Sequence, residues 1–210
     1  MELSEIFYSL QGESSYAGLP CVFVRLASCN LRCTYCDTQY AYEPEFTLSI
    51  EDIVKEVEKY HPVKLVEITG GEPLLQAKSI ELMKLLLKKN YDVLLETNNS
   101  ISLKDVPKEV IKIVDFKTPS SGMCNSILWD NIKYFNDWDE LKFVIEDKQD
   151  FDWSLQIIEK YDLLKYQILF SPVYEKLDRK ELAEWILETK LPIRLNMQLH
   201  KLIWGDIRRT

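Results

Sequence analysis

Apolar and polar positions follow two alternating patterns along the chain. Short apolar runs, typical of buried strands, cover residues 21–27, 65–69, 92–97, 113–117, 140–145, 167–171 and 193–200. Between several of these runs, apolar residues recur every three or four positions, which predicts amphipathic helices over 50–60, 78–89, 149–161 and 178–189. Strands that alternate with helices predict an α/β fold, and seven of them suit a partial, open TIM-like barrel.

Two connections depart from this helical pattern. The segment between residues 97 and 113 contains Pro107, and the segment between 117 and 140 is rich in Asn, Ser and aromatic residues. Neither has an amphipathic stripe. We therefore expect a barrel from which one or more helices have been trimmed.

Strand periodicity indicates which side chains face the barrel interior. In the run 21–27, one face is wholly apolar and consists of Val22, Val24 and Leu26. The apolar face should pack under helices, so Arg25 should point into the lumen. A buried guanidinium needs an anionic partner, and two alternatives stay open: a substrate carboxylate, or a salt bridge with Glu67 or Glu96.

The last predicted strand, 193–200, alternates in the same way. Its polar face comprises Arg194, Asn196, Gln198 and His200. This face lies either in solvent or at the mouth of the site. His200 is thereby a candidate site residue.

Length and charge limit the possible functions. The chain has 210 residues and a formal net charge of −8, which predicts a single domain over 1–210 and argues against broad nucleic-acid binding. It has no apolar run of transmembrane length and no basic signal-like start, so we expect a cytoplasmic protein with no membrane partner. The basic pair Arg208 and Arg209 is expected to be solvated. A small-molecule substrate is the natural expectation.

Three cysteines form the strongest chemical motif. Cys29, Cys33 and Cys36 have CxxxCxxC spacing, short enough for one loop to surround a metal centre. A structural zinc site requires four ligands, whereas three thiolates on a four-iron cluster leave one iron open for a small molecule. Cys21 is the alternative fourth ligand for zinc, but it lies in an apolar strand. Cys124 is expected to be a free thiol or a core residue.

The cysteine motif resembles that of radical S-adenosylmethionine (SAM) enzymes. Tyr35 precedes the third cysteine, as an aromatic residue does in that superfamily, and the cluster loop would span 29–38. The run Thr-Gly-Gly-Glu-Pro at 69–73 resembles the segment that holds the methionine end of SAM. The resemblance implies a 4Fe-4S cluster, SAM as cofactor and a radical SAM type of barrel.

Further motifs are similar to those of the 7-carboxy-7-deazaguanine synthases. The run Glu-Ile-Phe-Tyr-Ser-Leu-Gln-Gly-Glu at 5–13 resembles the start of that family, and shorter matches occur at 23–25, 36–38, 96–98, 117–122, 141–144 and 198–201. The resemblance implies radical ring contraction of 6-carboxy-5,6,7,8-tetrahydropterin to 7-carboxy-7-deazaguanine, with loss of ammonia, in 7-deazapurine (queuosine-type) biosynthesis. It also implies Mg²⁺, a flavodoxin or ferredoxin reductant, and a homodimer.

The resemblance implies a role for individual residues as well. The cluster ligands would be Cys29, Cys33 and Cys36, with Thr38 as a magnesium ligand. SAM would contact Tyr35, Gly71, Glu72, Lys117, Ser120, Ser121 and Lys142. The pterin would contact Leu10, Gln11, Gly12, Glu13, Arg25, Thr69 and His200, with Glu13 and His200 as the candidate catalytic residues. Gln11 and Glu13 carry the donor and acceptor groups that a guanine-like edge requires.

Two other functions remain to be separated from this one. A glycyl-radical-enzyme activase would share the cluster and the Gly-Gly segment, but the motifs at 11–13 and 198–200 favour a small pterin. An electron-transfer or zinc-binding module explains three cysteines poorly and does not explain the segment 69–73.

Overall fold

The computed structural model describes residues 1–209. Its strands are β1 (Glu2–Leu10), β2 (Pro20–Leu26), β3 (Phe46–Thr47), β4 (Leu65–Gly70), β5 (Asp92–Thr97), β6 (Ile111–Phe116), β7 (Glu140–Ile145), β8 (Gln167–Pro172) and β9 (Ile193–Leu195). Its α-helices are α1 (Ile50–Glu58), α2 (Lys78–Lys88), α3 (Lys148–Lys160), α4 (Arg179–Thr189) and α5 (Leu199–Trp204).

Within residues 1–209 all the strands join one sheet. Their order is β3-β1-β2-β4-β5-β6-β7-β8-β9, so β3 and β9 form the two edges and the sheet stays open. β1 pairs antiparallel with β2 and β3, whereas every pair from β2 to β9 is parallel. The parallel strands therefore end at the same edge of the sheet, and the loops after them meet there.

Helices cover the outer face of the sheet, as the periodicity requires. In α1, the Ser49 hydroxyl caps the helix by accepting a hydrogen bond from the Asp52 backbone N–H at 3.1 Å. The buried side of α1 adds Ile53, Val54 and Val57 to the main hydrophobic core, which also contains the β2 face formed by Val22, Val24 and Leu26. A smaller cluster, which includes Phe7, Cys21 and Phe23, lies on the other face of β1 and β2.

The predicted open α/β sheet with trimmed helices is confirmed. The connections from β5 to β6 and from β6 to β7 contain no α-helix, and the latter folds as three short 3₁₀ segments, Pro119–Ser121, Cys124–Ser126 and Trp129–Tyr134. Six of the seven predicted strands are present with ends shifted by at most two residues. Among residues 1–209, none of the helices has the length and apolar character needed to cross a membrane.

The predicted strand 193–200 is wrong in its second half. Pairing with β8 ends at Leu195, opposite Phe170. The Asn196 backbone N–H still donates to the Phe170 carbonyl at 2.8 Å, but its side-chain amide donates to Ser171 Oγ at 2.8 Å. The chain then turns into α5, which carries His200 in its first turn. Strands β1 and β3 were not predicted.

Candidate active site

A cavity of about 640 Å³ opens at the edge where the parallel strands end. Its wall includes the loops that follow β2, β4, β5 and β6, together with the start of α5 and the last described residues of the chain. Pockets at this edge are the usual ligand sites of parallel α/β sheets, and the volume suits one or two small molecules.

The three motif cysteines are brought together at one side of this cavity. Cys29, Cys33 and Cys36 are half-buried, line the cavity and are close enough to interact electrostatically. Burial raises the pKa of Cys29 and Cys33, while the nearby Lys117 ammonium acts in the opposite direction and favours the thiolates.

This arrangement fits an iron–sulfur cluster better than a zinc ion. The proposed fourth zinc ligand, Cys21, is fully buried within β2 and belongs to a separate apolar cluster. Three neighbouring thiols that line an open cavity, without a fourth, match the ligand set of a cluster with one open iron.

The cluster loop is held by contacts from the loop that follows β6. The Thr34 backbone N–H donates to the Ser121 carbonyl at 3.1 Å, and the Thr34 hydroxyl donates to the Ser120 carbonyl at 2.6 Å. Ser121 itself is buried, and its hydroxyl donates to the Thr118 carbonyl at 2.5 Å. Ser120 and Ser121 thus support the cluster loop from behind, and neither is part of the cavity lining.

The Gly-Gly segment after β4 is constrained by the chain itself. A Cβ at Gly70 would collide with the Leu26 carbonyl oxygen, and one at Gly71 would collide with the Ser28 carbonyl oxygen. The Glu72 side chain is fully buried and does not line the cavity; it accepts hydrogen bonds from Thr97 Oγ1 at 3.0 Å and the Asn98 N–H at 2.7 Å. Gly70 and Gly71 border the cavity.

Tyr35 and two lysines lie on the cavity wall near the cysteines. The Tyr35 hydroxyl lies 3.1 Å from Thr118 Oγ1. Lys117 forms a salt bridge with Asp115 at 2.7 Å. Lys142 is nearly buried, and its ammonium lies 3.0 Å from Glu13 Oε2 and also contacts Glu96. Burial lowers the pKa of Lys142, but these carboxylates outweigh it and hold the pKa well above its ordinary value.

The loop between β1 and β2 meets α5 on the opposite side of the cavity. The Leu199 N–H donates to the Gly12 carbonyl at 2.8 Å, and the His200 ring packs so closely on Gly12 that a Cβ there would collide with its Nδ1. Glu13 Oε1 accepts from Gln198 Nε2 at 2.9 Å. Burial lowers the pKa of His200, which keeps the imidazole neutral near pH 7.

The other predicted pterin residues also lie on the cavity wall, but their partners differ from expectation. Arg25 Nε donates to Glu5 Oε1 at 2.8 Å, so its protein partner is Glu5, and not Glu67 or Glu96, the two protein partners that the strand pattern had left open beside a substrate carboxylate. Its two terminal nitrogens donate no hydrogen bond to residues 1–209. The Thr69 hydroxyl donates to Glu96 Oε2 at 3.1 Å, and Leu10 lines the cavity as well.

Thr38 lies at the cavity mouth beside an acidic residue. Its hydroxyl donates to Asp37 Oδ1 at 2.9 Å, while Asp37 Oδ2 accepts from Lys201 at 2.9 Å. Partial burial raises the pKa of Asp37, but the Lys201 charge and the hydrogen bonds from Lys201, Gln198 and Thr38 hold it below its ordinary value. The Thr38 and Asp37 oxygens at the cavity mouth are of the kind that bind hard cations.

Sequence reasoning missed the C-terminal contribution to the site. Arg208 and Arg209 are not simply solvated: their Nε atoms donate to Glu5 Oε2 at 3.0 and 3.1 Å, and both residues line the cavity. Glu45 accepts from both guanidinium groups as well. The sequence carried no local signal of this contact, because Glu5 lies 203 and 204 positions from the two arginines.

Comparisons with known proteins agree with this geometry. The family model of the radical SAM superfamily matches residues 24–118. The crystal structure of QueE from Escherichia coli superposes with a TM-score of 0.80 and 22% identity, covering 95% of this chain and 94% of that one. Streptococcus suis SuiB bound to S-adenosylmethionine has a TM-score of 0.58 over 81% of this chain and 48% of its own. At these identities the two structures support the fold alone.

Sequence relatives cover the whole chain. The 7-carboxy-7-deazaguanine synthase of Koribacter versatilis is 42% identical over 97% of both chains. The enzyme of the same name from Chlorobaculum tepidum is 42% identical over 100% of this chain and 96% of its own. With this identity over its full length, the chain belongs to the 7-carboxy-7-deazaguanine synthase family of the radical SAM superfamily.

Proposed function

We propose that this chain is a radical SAM lyase that converts 6-carboxy-5,6,7,8-tetrahydropterin to 7-carboxy-7-deazaguanine, with loss of ammonia, in 7-deazapurine biosynthesis. The observation that carries the proposal is that one cavity combines the three-cysteine loop with the Gln11-Gly12-Glu13 loop and His200. Full-length relatives that bear the name of this activity support it.

The cofactors would occupy the cysteine side of the cavity. Cys29, Cys33 and Cys36 would hold a 4Fe-4S cluster, and SAM would lie against Tyr35 and Gly71. Bound together, they supply the one-electron chemistry that begins the ring contraction. Lys117 contributes positive charge beside the cysteines, which favours both the thiolate ligands and the anionic carboxylate of SAM. The contacts of Ser120, Ser121 and Glu72 support a role in shaping this side from behind it.

The pterin would bind on the opposite side, against Leu10, Gln11, Gly12, Glu13, Arg25, Thr69 and His200. Arg25 is the candidate partner of the substrate carboxylate, since Glu5 holds its Nε and leaves the terminal nitrogens to a ligand. The Lys142 ammonium lies between Glu13 and Glu96 and holds the Glu13 carboxyl group in position. The fixed Glu13 carboxylate would orient the pterin beside it and help to exclude water from the reacting ring.

Proton transfer falls to Glu13 and His200. The imidazole is neutral near pH 7 because burial lowers its pKa, so His200 is able to accept a proton that the ring loses as it becomes aromatic. Glu13 lies near His200, and its negative charge favours the protonated imidazole, which helps His200 to keep the proton that it has accepted. Together they form an acid–base pair that is specific to the substrate side.

Four further features belong to the same proposal. Thr38 would supply a neutral oxygen to Mg²⁺, with the pterin carboxylate as the anionic ligand. A flavodoxin or ferredoxin would provide the electron, and the enzyme would act as a cytoplasmic homodimer. The magnesium site, the reductant and the homodimer rest on the family resemblance, and the cytoplasmic location rests on the sequence. The oxygen-rich cavity mouth at Asp37 and Thr38 supports the magnesium site.

The test is anaerobic incubation of the reconstituted, reduced enzyme with SAM and the carboxypterin. We expect 7-carboxy-7-deazaguanine by mass spectrometry, in large excess over 5'-deoxyadenosine because the rearrangement is redox neutral. Cys33→Ala should lose the iron and the product, whereas Cys124→Ala should retain both. Failure to form product, or one SAM consumed for each turnover, would contradict the proposal and favour an activase-like reaction.

A further inference from the structure

One acidic side chain in the cavity differs from all the others. Six line it among residues 1–209: Glu13, Asp37, Glu67, Glu96, Asp115 and Asp206. Five of these form a salt bridge with a lysine within the same described part of the chain. Glu67 forms none, although it is almost completely buried. A buried carboxyl group without a cationic partner is costly unless a ligand supplies hydrogen-bond donors.

The hydrogen bonds of Glu67 leave room for such a ligand. Glu67 Oε2 accepts from the Gln11 side-chain amide, and Oε1 has no donor among residues 1–209. Gln11 Oε1 in turn accepts from the Glu13 N–H at 3.0 Å. Both ends of the Gln11 amide are therefore occupied by the protein. Gln11 is better placed to orient Glu67 and Glu13 than to read a ligand edge itself.

The surroundings of Glu67 suit a flat heterocycle. Glu67 is the register partner of Phe23 in β2 and of Leu94 in β5, so it stands on the lumen face of the sheet beside apolar side chains. Phe7 and Phe23 stack with ring centroids 4.8 Å apart and line the same cavity. Apolar walls with one unpaired carboxyl group favour a planar ring that presents N–H donors at one edge.

We propose that Glu67 determines substrate specificity by accepting hydrogen bonds from the 2-amino group and N3–H of the pterin pyrimidine ring. This inference rests on the proposed function and deepens it. The two donors are adjacent and coplanar, as in a guanidinium group, and match the two oxygens of one carboxylate. Burial and the neighbouring Glu96 raise the pKa of Glu67 well above its ordinary value, as expected of a carboxyl group whose donors come from a ligand.

The experiment compares two fluorescent probes on the reconstituted holoenzyme with SAM. 6-Carboxypterin carries the 2-amino group, whereas 6-carboxylumazine has an oxygen in its place that would face Glu67 as a second acceptor. We expect the parent protein to bind the pterin about 100-fold more tightly, because an unmatched buried acceptor is strongly disfavoured. Equal affinity for the two probes in the parent protein would overturn the inference before any variant is made.

Glu67→Gln tests the residue itself. Its amide presents a donor to the lumazine oxygen, so the preference should fall to within about fivefold or reverse. A merely structural role would weaken both probes equally. Glu96→Gln is the matched control, because the Glu96 oxygens already contact Lys142 and Thr69, and it should retain the preference. Glu67→Asp, which preserves the carboxylate, should retain the preference at lower affinity.

The outcomes separate this inference from the proposed function. A parent protein that forms no product from the carboxypterin contradicts the function. A parent protein that forms product, with an unchanged pterin preference in Glu67→Gln or a lost one in Glu96→Gln, contradicts only the role of Glu67.

Discussion

The Arg25 guanidinium group contacts Glu5 of β1 on one side and faces the proposed ligand on the other. Glu5 holds its Nε, so the side chain is fixed before a ligand arrives, and its terminal nitrogens remain available. The strand pattern correctly predicted an inward-facing arginine. It could not identify Glu5 as the partner, because that pairing depends on the register of β1 against β2.

Replacement of Arg25 should therefore weaken pterin binding without loss of the cluster. Loss of one member of a buried charge pair costs about 3–5 kcal/mol, which corresponds to a hundredfold or more in affinity. We expect Arg25→Met to raise the dissociation constant of 6-carboxypterin by at least this factor, and Arg25→Lys to have an intermediate effect. Iron content and SAM affinity serve as controls. If pterin affinity is unchanged and only stability falls, Arg25 is a structural residue.

Thr38 gives a second test at the scale of one residue. A hydroxyl that already donates to Asp37 has its lone pairs free for a hard cation. Thr38→Ala should lose magnesium stimulation of turnover while it retains iron and SAM, and Thr38→Ser should keep most of it. Turnover that ignores magnesium in the parent protein, or that is equally stimulated in Thr38→Ala, would make Thr38 an ordinary turn residue.

Glu72 should make the stability of the apoprotein depend on pH. Burial raises its pKa to about 7, although hydrogen bonds from Asn98, Leu74 and Thr97 oppose the rise. Because the folded state then holds a proton that the unfolded state releases near pH 4.5, stability should fall as pH rises from about 4.5 to 7 and level off above that.

The comparison with Glu72→Gln isolates this effect from other titrating groups. Between pH 4.5 and 8 the parent apoprotein should lose about 2–3 kcal/mol more unfolding free energy than the variant, as measured by urea denaturation. Parallel pH profiles for the two proteins would show that Glu72 does not titrate in this range.

At the scale of elements, long-range polar contacts determine the positions of strands that the periodicity of the sequence does not predict. The β4, β5 and β7 strands were predictable because their apolar faces are local features of the sequence. In β1, by contrast, Leu3, Ser4 and Glu5 are consecutive and all buried, which gives no alternation. The burial of Glu5 depends on Arg25 and on Arg208, which lies 203 positions from it. The end of β9 is likewise set by Asn196, whose side chain bonds to Ser14 and Ser171.

In the candidate site, too, the residues in short local motifs were predictable, and those that depend on long-range contacts were not. The cysteines, the Gly-Gly segment and the 11–13 loop were identifiable from sequence, because their chemistry lies in short motifs. Asp115 was not, and Glu67 was considered only as a partner of Arg25, since a lone acid in an apolar run carries no local signal of what faces it. Ser120 and Ser121 matched a motif, yet their position behind the cluster loop depends on how two loops pack.

Glu5 links β1, β2 and the C-terminal tail, and this link is testable. Glu5 is 1% exposed and contacts three arginines, whereas the Arg209 side chain is 51% exposed. Glu5→Gln should lower the unfolding free energy by about 3–5 kcal/mol, because Arg25 loses its buried partner. Arg209→Ala should cost less than about 1 kcal/mol, as exposed pairs do. A cost below about 1 kcal/mol for Glu5→Gln in urea denaturation would show that the link does not stabilise the fold.

At the scale of the whole molecule, the sheet joins the first strand to the last. Within residues 1–209, β1 and β9 belong to the same nine-stranded sheet, and the main core draws residues from both halves of the chain. If one half of the chain unfolded, the sheet of the other half would be left with an unpaired strand at its edge and an uncovered apolar face. We propose on this basis that residues 1–210 form a single domain.

A single domain should unfold in one cooperative transition, and the tryptophans make this a strict test. All five, Trp129, Trp138, Trp153, Trp185 and Trp204, lie in the second half of the sequence. Tryptophan fluorescence therefore reports on that half, while far-ultraviolet circular dichroism reports on the helices and strands of the whole chain. We expect the two urea transitions of the reduced apoprotein to coincide in midpoint and slope. A fluorescence transition that is separated from the dichroism transition would mean that the second half unfolds independently, and the chain would then contain two units instead of one.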